Sequence, residues 1–285
     1  FITCFDWHHN GEQYAGFNFY PLADPSNPLF IQKLRRFAGF YMNEDDEAQN
    51  YDNELKIIKS VLTGSRGPKL KATYEDWGGT DYFIPPPYWD DVAGDNPVNM
   101  TATTLATNAY IVTGDEKYRQ WVLDYTNAWK ERAKANNGMF PSNIGLSGKV
   151  GEEWDDKWWG GVLGWDWHKF GGFNVMGPGM RIGMLNALIL SQDYGYVDAL
   201  RIQYDILWDN RIKKNESLVI PDNYGDNGWY NEGSIERYID SLIEVYLATM
   251  CNNDLARINE RGVAGKGGHD WIRFLQGKDI EYPDK

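Results

Sequence analysis

The chain has 285 residues and a formal net charge of −13, and aromatic residues make up 15% of it, with 13 Trp and 18 Tyr. This length can bury a full-sized core, and the acidity disfavours a nucleic-acid partner, because binding to phosphates needs a broad basic face. No apolar run reaches the roughly 18 residues that a membrane-spanning helix needs. The two cysteines, Cys4 and Cys251, form neither a disulfide framework nor a metal-ligand spacing. We therefore expect no metal and no cofactor.

The first third of the chain alternates between irregular segments and short helices. Residues 1–28 are rich in aromatic residues and Asn, and they end in three proline helix breakers. Apolar residues at helical spacing then predict a helix from Phe30 to Met42 and a shorter one from Leu55 to Leu62. Residues 73–97 are predicted to be irregular, because three consecutive prolines force an extended backbone.

An imperfect internal repeat dominates the middle of the chain. Residues 106–129 are echoed by residues 184–208, and Asn108, Ala109, Asp115 and Tyr118 recur at a constant spacing as Asn186, Ala187, Asp193 and Tyr196. Each copy predicts an apolar helix, a tight turn that carries an Asp, and a second amphipathic helix. Since a helical hairpin cannot bury its apolar face alone, such units are expected to stack. We therefore predict an all-α fold, a partial α/α toroid of helical hairpins whose long aromatic loops form a cleft. An ordinary helical bundle is the alternative.

The individual helices of this region follow from the same periodicity. They are predicted at Asn99 to Val112, Glu116 to Asn136, Gly179 to Leu190, Tyr196 to Arg211 and Ser234 to Met250, with a further short helix near Trp271. Residues 138–178 and the segment VIPDNYGDNGWYN are predicted to be loops. One domain over residues 1–285 is the simplest organisation. Because the chain does not begin with Met, we expect it to be a fragment or a processed piece of a longer protein.

Histidines and carboxylates are concentrated near the start of the chain. His8 and His9 are adjacent, and Asp6, Trp7, Asn10, Glu12 and Tyr14 surround them in sequence. Histidine titrates near neutrality and transfers protons, while a neighbouring carboxylate orients it. The segment is therefore a candidate acid–base centre, although these side chains could instead form hydrogen bonds in a polar interior.

The loop before the second repeat carries a run of aromatic residues. Trp154, Trp158, Trp159, Trp165 and Trp167 lie close together in sequence, with Asp166 and His168 beside them. Flat indole faces with a polar handle stack well on sugar rings, so these residues predict a glycan-binding surface. The competing interpretation is an aromatic loop that only covers the helices.

Two loops occupy matching positions after the two repeats. One is Phe140 to Gly145, in which Asn143 could bind an acidic or hydroxyl-rich ligand. The other is Asp222 to Glu232, in which Tyr224 or Tyr230 could transfer a proton if a cation lay nearby. Both could equally be simple turns. Matching loops after matching hairpins predict that residues 1–20, 138–175 and 221–232 meet in one cleft.

The sequence resembles a family of secreted bacterial proteins found among polysaccharide-degrading enzymes. The matching segments are DWHHNGEQYAGFNFY, RRFAGFYMNEDDEAQNYD, IIKSVLTGSRGP, ATTLATNAYIVTGDEKYRQW and WWGGVLGW. More loosely, its plan is similar to α/α-toroid polysaccharide lyases that act on uronic-acid glycans, including ulvan-type and rhamnose–glucuronate linkages. The resemblance implies a secreted or periplasmic lyase with a polysaccharide substrate. It also implies β-elimination, in which a base removes the C5 proton of a uronate, an acid protonates the leaving oxygen and a third group masks the carboxylate.

The residue types that such a reaction needs give the candidate site. The catalytic candidates are His8, His9, Tyr14, His168, Tyr224 and Tyr230. The substrate-binding candidates are Trp7, Asn10, Glu12, Arg66, Asn143, Trp158, Trp159, Trp165 and Trp229, of which Asn143, Asn10 and Arg66 would bind the uronate carboxylate.

Two other functions remain open. A glycoside hydrolase would use two carboxylates, about 5 Å apart for retention or about 6.5–9.5 Å apart for inversion, drawn from Asp6, Glu12, Asp166, Asp222 and Glu232. A non-catalytic glycan-binding protein would use the Trp loop alone. Absorbance near 235 nm separates a lyase from a hydrolase, since β-elimination alone creates a conjugated double bond.

Overall fold

The computed structural model describes residues 4–6, 23–46, 49–64, 67–71, 91–167, 172–214 and 217–261. Within these ranges the chain forms seven α-helices and three small antiparallel sheets. The prediction of an all-α toroid is therefore wrong, and the fold is a mixed α/β arrangement. The helical hairpins were correctly predicted, whereas the strands between and beside them were missed.

The helices lie mainly in the second half of the chain. Their bounds are α1 Pro28–Phe40, α2 Thr103–Thr113, α3 Glu116–Ala135, α4 Phe173–Ser191, α5 Gly195–Asp209, α6 Ile235–Thr249 and α7 Asn252–Arg261, and a 3₁₀-helix, Pro97–Ala102, precedes α2. The first helix begins at Pro28, where the Asn27 side chain accepts hydrogen bonds from the backbone N–H groups of Leu29 and Phe30. Pro at the first helical position and Asn at the cap are a favourable pair.

The sequence repeat corresponds to two helical hairpins, α2–α3 and α4–α5, and α6–α7 forms a third. In the first hairpin α2 ends at Gly114 in a left-handed conformation, and Asp115 then caps α3 by accepting a hydrogen bond from the N–H of Lys117. Gln192 and Met250 end α4 and α6 in the same left-handed conformation. The paired helices enclose a core of fully buried large side chains that includes Trp129, Tyr125 and Tyr204. Stacked hairpins thus bury each other's apolar faces, as the repeat predicted.

The strands form three separate sheets. The first contains β1 Cys4–Asp6, β4 Leu62–Gly64 and β5 Gly67–Pro68, in the order β1-β4-β5, and the second pairs β2 Tyr51–Asp52 with β3 Ile57–Ile58. The third has the order β6-β7-β8, from Ile212–Lys214, Ser217–Gly225 and Gly228–Gly233. All pairings are antiparallel.

The predicted helix from Leu55 to Leu62 is wrong, because this segment belongs to two of these sheets. Ile58 lies opposite Tyr51, and the Asp52 carboxylate accepts hydrogen bonds from the N–H groups of Glu54 and Leu55 in the turn between the strands. The β-branched Ile57 and Ile58 are both buried. Such residues favour a pleated surface over a helix.

The predicted loop VIPDNYGDNGWYN is also wrong, because it forms the hairpin β7–β8. Asp226 and Asn227 are the turn, and Gly228 follows with a φ of +88°, which glycine adopts without strain. Tyr224 lies opposite Trp229 and Asn223 opposite Tyr230. The register therefore places two aromatic residues side by side across the strands.

A buried carboxylate, Asp95, joins the sheets to the helices. It is 0% exposed and accepts hydrogen bonds from the N–H of Ile58 at 3.0 Å, the Asn99 side chain at 2.8 Å and the Tyr125 hydroxyl at 3.0 Å. Burial raises the pKa of Asp95 to about 6, although these hydrogen bonds favour its ionised form. In the part of the chain that the structure describes, no helix is both long and apolar enough to cross a membrane.

Candidate functional site

Two segments that are far apart in sequence meet in one aromatic cluster. The Trp158 and Tyr224 rings lie 4.7 Å apart between centroids, and Trp159 lies 5.4 Å from the same tyrosine. Trp229 completes the cluster at 5.0 Å from Tyr224. These four residues, Trp158, Trp159, Tyr224 and Trp229, are called the aromatic platform below. All four are partly exposed to solvent.

A fifth ring lies beneath the platform and supports it. Trp165 is 0% exposed, and its indole N–H donates a hydrogen bond to the carbonyl of Phe140 at 2.8 Å. It contacts Trp229 at 5.6 Å and Trp158 at 6.4 Å between ring centroids, both edge-on. Edge-to-face packing at these distances is favourable for aromatic pairs. The platform therefore rests on a buried ring whose polar atom is satisfied.

Backbone hydrogen bonds fix the loop that carries the tryptophans. The N–H of Ser142 donates to the carbonyl of Trp158 at 2.7 Å, and the Ser142 hydroxyl accepts from the N–H of Trp165 at 2.8 Å. The N–H of Asp166 donates to the carbonyl of Trp159 at 3.1 Å. Although residues 151–167 contain no regular helix or strand, they are held as a defined structure by these bonds.

The hairpin β7–β8 is attached to the same loop through one carbonyl. The carbonyl of Trp165 accepts hydrogen bonds from the Asn223 side chain at 2.7 Å and from the N–H of Tyr224 at 3.3 Å. The side chain of Asn231 in turn donates to the Asn223 amide oxygen at 3.0 Å. The relative position of the two halves of the platform is thus set by buried polar contacts.

Asp222 fixes the base of the hairpin to the start of α4. Its carboxylate accepts from the backbone N–H of Asn174 at 2.9 Å and from the Asn174 side chain at 2.7 Å. Gly172, at a φ of +75°, lies so close that a side chain there would collide with the Asp222 carbonyl. Burial raises the pKa of Asp222 to about 6 despite these hydrogen bonds and the nearby Arg237. Asp222 therefore takes the place of a local cap for α4, whose preceding residue is glycine.

Charged groups line one edge of the platform. Lys157 forms an ion pair with Asp226 at 2.9 Å, and the Tyr230 hydroxyl donates a hydrogen bond to the exposed Asp166 carboxylate. The pKa of Lys157 is raised, first by its hydrogen bond to Asp226 and also by the charges of Asp155 and Asp166. Lys157 therefore pairs with Asp226 and interacts electrostatically with two further carboxylates.

The structure brings together six of the residues that the sequence singled out. Trp158, Trp159, Trp229 and Tyr224 form the platform, Trp165 lies below it and Tyr230 lies at its edge. Asn143 is placed differently: it is 5% exposed, and its side-chain amide donates to the carbonyl of Ala93 at 2.9 Å. Asn143 thus helps to fix the loop from below.

The remaining candidates lie outside the described residues and stay predictions. They are the catalytic candidates His8, His9, Tyr14 and His168, and the binding candidates Trp7, Asn10, Glu12 and Arg66. Among the residues that the structure does describe, no three His, Cys, Asp or Glu side chains are grouped so that they could hold a metal ion.

Sequence reasoning missed the ion pair between Lys157 and Asp226 and the cap that Asp222 provides for α4. Recognition of the DNG turn as a hairpin signal would have predicted the turn that carries Asp226, but not its contact with Lys157, which lies 69 residues away in sequence. The contact between Asp222 and Asn174 has no local sequence signal, because the two residues belong to separate elements.

A family model described as a domain of unknown function (DUF8034) matches residues 1–82 and 91–244 of the chain. The chain belongs to this family. No curated protein and no solved structure matches it.

Proposed function

We propose that this DUF8034 member binds a glycan on the aromatic platform. The observation that carries the proposal is the meeting of four partly exposed rings on a frame that is fixed by buried hydrogen bonds. All four rings pack against the hydrophobic core and keep part of their surface exposed, whereas Trp165 and Trp129 are fully buried. A fixed aromatic surface is suited to a ligand with flat apolar faces and polar edges, which describes a sugar ring.

The fixed frame matters for affinity as well as for shape. Ordering a loop or a set of long side chains on binding lowers the net affinity, and preorganisation removes that cost. Here the Trp165 carbonyl already holds both Asn223 and Tyr224, and Ser142 holds both Trp158 and Trp165. The platform therefore meets a ligand without rearranging its backbone.

The edge of the platform supports a second, catalytic proposal. Asp166 and Asp226 are both exposed carboxylates there, one accepting a hydrogen bond from Tyr230 and the other paired with Lys157. Two carboxylates that flank a glycosidic bond are the groups that hydrolysis of that bond uses. We therefore propose hydrolysis of the bound glycan as a second candidate function, in which Asp166 and Asp226 would supply the two carboxylates.

The β-elimination that the sequence resemblance implies stays a prediction. Tyr224 and Tyr230 are the described candidates for it. The Tyr230 oxygen could accept the C5 proton while its own proton passes to Asp166. Uronate oligosaccharides incubated with the protein separate the two reactions. New reducing ends with absorbance near 235 nm indicate elimination, whereas new reducing ends without it indicate hydrolysis.

Binding itself is tested with hexasaccharides of defined charge by isothermal titration calorimetry. Trp158→Ala should lower the affinity for any hexasaccharide that the parent binds by about tenfold or more, because central Trp residues dominate binding energies. Tyr194→Ala is the matched control, because Tyr194 is 49% exposed and lies beyond the other end of α4, a helix of 19 residues that is about 28 Å long. Equal affinities of the parent and Trp158→Ala would contradict the platform as the binding site.

A further inference from the structure

We infer that the aromatic platform selects sugars that carry an amino group, and that it discriminates against uronates. The inference rests on the proposed glycan binding and names the substrate class of that same site. It departs from the uronate substrate that the sequence resemblance implies. It is based on the charges at the edge of the platform and on their partners.

A uronate bound at the platform would find no available cation among the described residues of its edge. Lys157 is the basic residue there, and its ammonium is paired with Asp226 at 2.9 Å. The charges of Asp155 and Asp166 also raise the pKa of this ammonium, so three carboxylates already favour its charged form. A sugar carboxylate would have to compete with Asp226 for this ammonium and would also experience the negative charges of Asp155 and Asp166. Like charges at such distances repel, and binding would be weakened.

A sugar ammonium, in contrast, would be attracted by the carboxylates at the edge of the platform. Asp166 is exposed and is held in place by the Tyr230 hydroxyl, so one side of its carboxylate is oriented and the other can accept further hydrogen bonds. Hydrogen bonds between an ammonium and a carboxylate are stronger than those between neutral groups. The carboxylate of Asp226 can likewise accept a charge-assisted hydrogen bond from the sugar ammonium while it stays paired with Lys157.

The aromatic rings favour the same ligand. An ammonium near the face of Trp or Tyr is attracted by the negative charge of the ring face. Trp158 and Trp159 directly follow Lys157, and Tyr224 and Trp229 flank the turn that contains Asp226. A hexosamine unit could therefore stack its C–H face on a ring while its ammonium reaches the edge carboxylates. The chemistry of the site is that of cation recognition combined with sugar stacking.

The test compares three hexasaccharides of similar size by calorimetry at pH 6 and low salt. These are the hexamers of glucosamine, N-acetylglucosamine and galacturonate, which carry positive, neutral and negative charge. We expect the glucosamine hexamer to bind about tenfold or more tightly than the galacturonate hexamer, which is the effect of about 1.4 kcal/mol of differential interaction. Its affinity should also fall as salt is raised, because the attraction is electrostatic.

Two variants assign the effect to the edge of the platform. Asp166→Asn should reduce the preference for glucosamine over N-acetylglucosamine, whereas Asp193→Asn, at an exposed carboxylate beyond the other end of α4, should leave it unchanged. Equal affinity for the glucosamine and N-acetylglucosamine hexamers, or tighter binding of galacturonate, would overturn the inference while leaving glycan binding intact. Failure of all three hexamers and of neutral β-glucan hexamers to bind would instead overturn the proposed function.

Discussion

The carboxylate of Asp222 caps α4 from a distant strand, by accepting hydrogen bonds from both the backbone N–H and the side chain of Asn174. The same residue is two positions before Tyr224, whose ring lies at the centre of the aromatic platform. One buried contact therefore connects the start of a core helix to the surface that we propose binds a glycan. This relationship makes the position of the platform depend on the helical core.

Replacement of Asp222 by Ala should destabilise the protein by about 1–2 kcal/mol, the usual effect of losing a helix cap. It should also weaken glycan binding, because the hairpin loses its attachment to α4. Urea unfolding and calorimetric titration measure the two effects. Asn174→Ala, which keeps the backbone N–H donor, should have a smaller effect on stability. If Asp222→Ala left both stability and affinity at the level of the parent, the proposed connection would be wrong.

The pH dependence of stability should reflect the two buried carboxyl groups, Asp95 and Asp222, whose pKa values are both raised to about 6. A carboxyl whose pKa is higher in the folded state binds its proton more tightly there than in the unfolded chain. Its contribution to stability is therefore fully present below pH 4 and is lost as the pH rises through 6. The free energy of unfolding should fall over this window by about 2–3 kcal/mol for each group.

Asp95→Asn isolates one of these contributions. An uncharged amide at this position should remove the part of the fall in the free energy of unfolding between pH 4 and 6.5 that comes from Asp95, and leave the part that comes from Asp222. Asp205 and Asp254, whose hydrogen bonds to arginine side chains lower their pKa values although burial acts in the opposite direction, affect stability only below this window. Chemical denaturation of the parent and of Asp95→Asn at several pH values checks the prediction. Parallel curves for the two proteins would show that Asp95 does not titrate in this range.

The helical hairpins could be predicted from the sequence because their signals are local. Asp115 is followed by a helix in which apolar residues recur at helical spacing, and Gly114 precedes it as a stop. The segment from Leu55 to Leu62 misled the same reasoning, because its few apolar residues fit either a helix or paired strands. Only the partner strand at Tyr51–Asp52 decides between them. Pairing across a sheet is a non-local interaction, and periodicity alone does not reveal it.

The sequence likewise predicted part of the candidate site, namely its aromatic surface. The excess of Trp around Trp158 indicated an aromatic surface, and the matching positions of the two loops predicted that they meet. The sequence did not separate Trp165, which is buried, from Trp158, which is partly exposed. That difference depends on which indole reaches the Phe140 carbonyl and is set by the tertiary structure. The charge balance at the edge likewise depends on Lys157 and Asp226 meeting across 69 residues of sequence.

Trp165 and Trp158 should therefore respond differently to substitution. Trp165→Ala removes a fully buried ring and the donor to the Phe140 carbonyl, so it should destabilise the protein by about 3–5 kcal/mol. Trp158→Ala should change stability much less, because its ring is partly exposed, and should mainly lower glycan affinity. Thermal unfolding followed by circular dichroism, together with calorimetric titration, separates the two. A loss of stability in Trp158→Ala as large as in Trp165→Ala would assign both residues to packing.

The last described helix, α7, is attached to α5 by ion pairs rather than mainly by apolar contacts. Asp254 is 2% exposed at its side chain, and it accepts hydrogen bonds from the Arg201 guanidinium and from the Thr249 hydroxyl. Arg201→Gln removes the main charge partner of this buried carboxylate, and Arg257, at 3.4 Å, compensates only in part. Breaking a buried ion pair leaves an uncompensated charge and typically costs about 3–5 kcal/mol. Because Arg257 remains as a second partner, we expect a destabilisation no larger than this.

The effect of Arg201→Gln should be confined to the end of the described chain. Amide hydrogen exchange should accelerate in residues 252–261, while α2 and α3 keep the protection of the parent, because their contacts are unchanged. Arg36→Gln is the control, as the 70% exposed Arg36 side chain pairs with Asp45 at 3.9 Å and such surface pairs contribute about 0–1 kcal/mol. Unchanged exchange in residues 252–261 of Arg201→Gln would show that apolar contacts such as that of the buried Ile258 hold α7 in place without the ion pair. The parent's glycan affinity should be retained in this variant, because the aromatic platform is fixed through Asp222 and Trp165 and makes no use of α7.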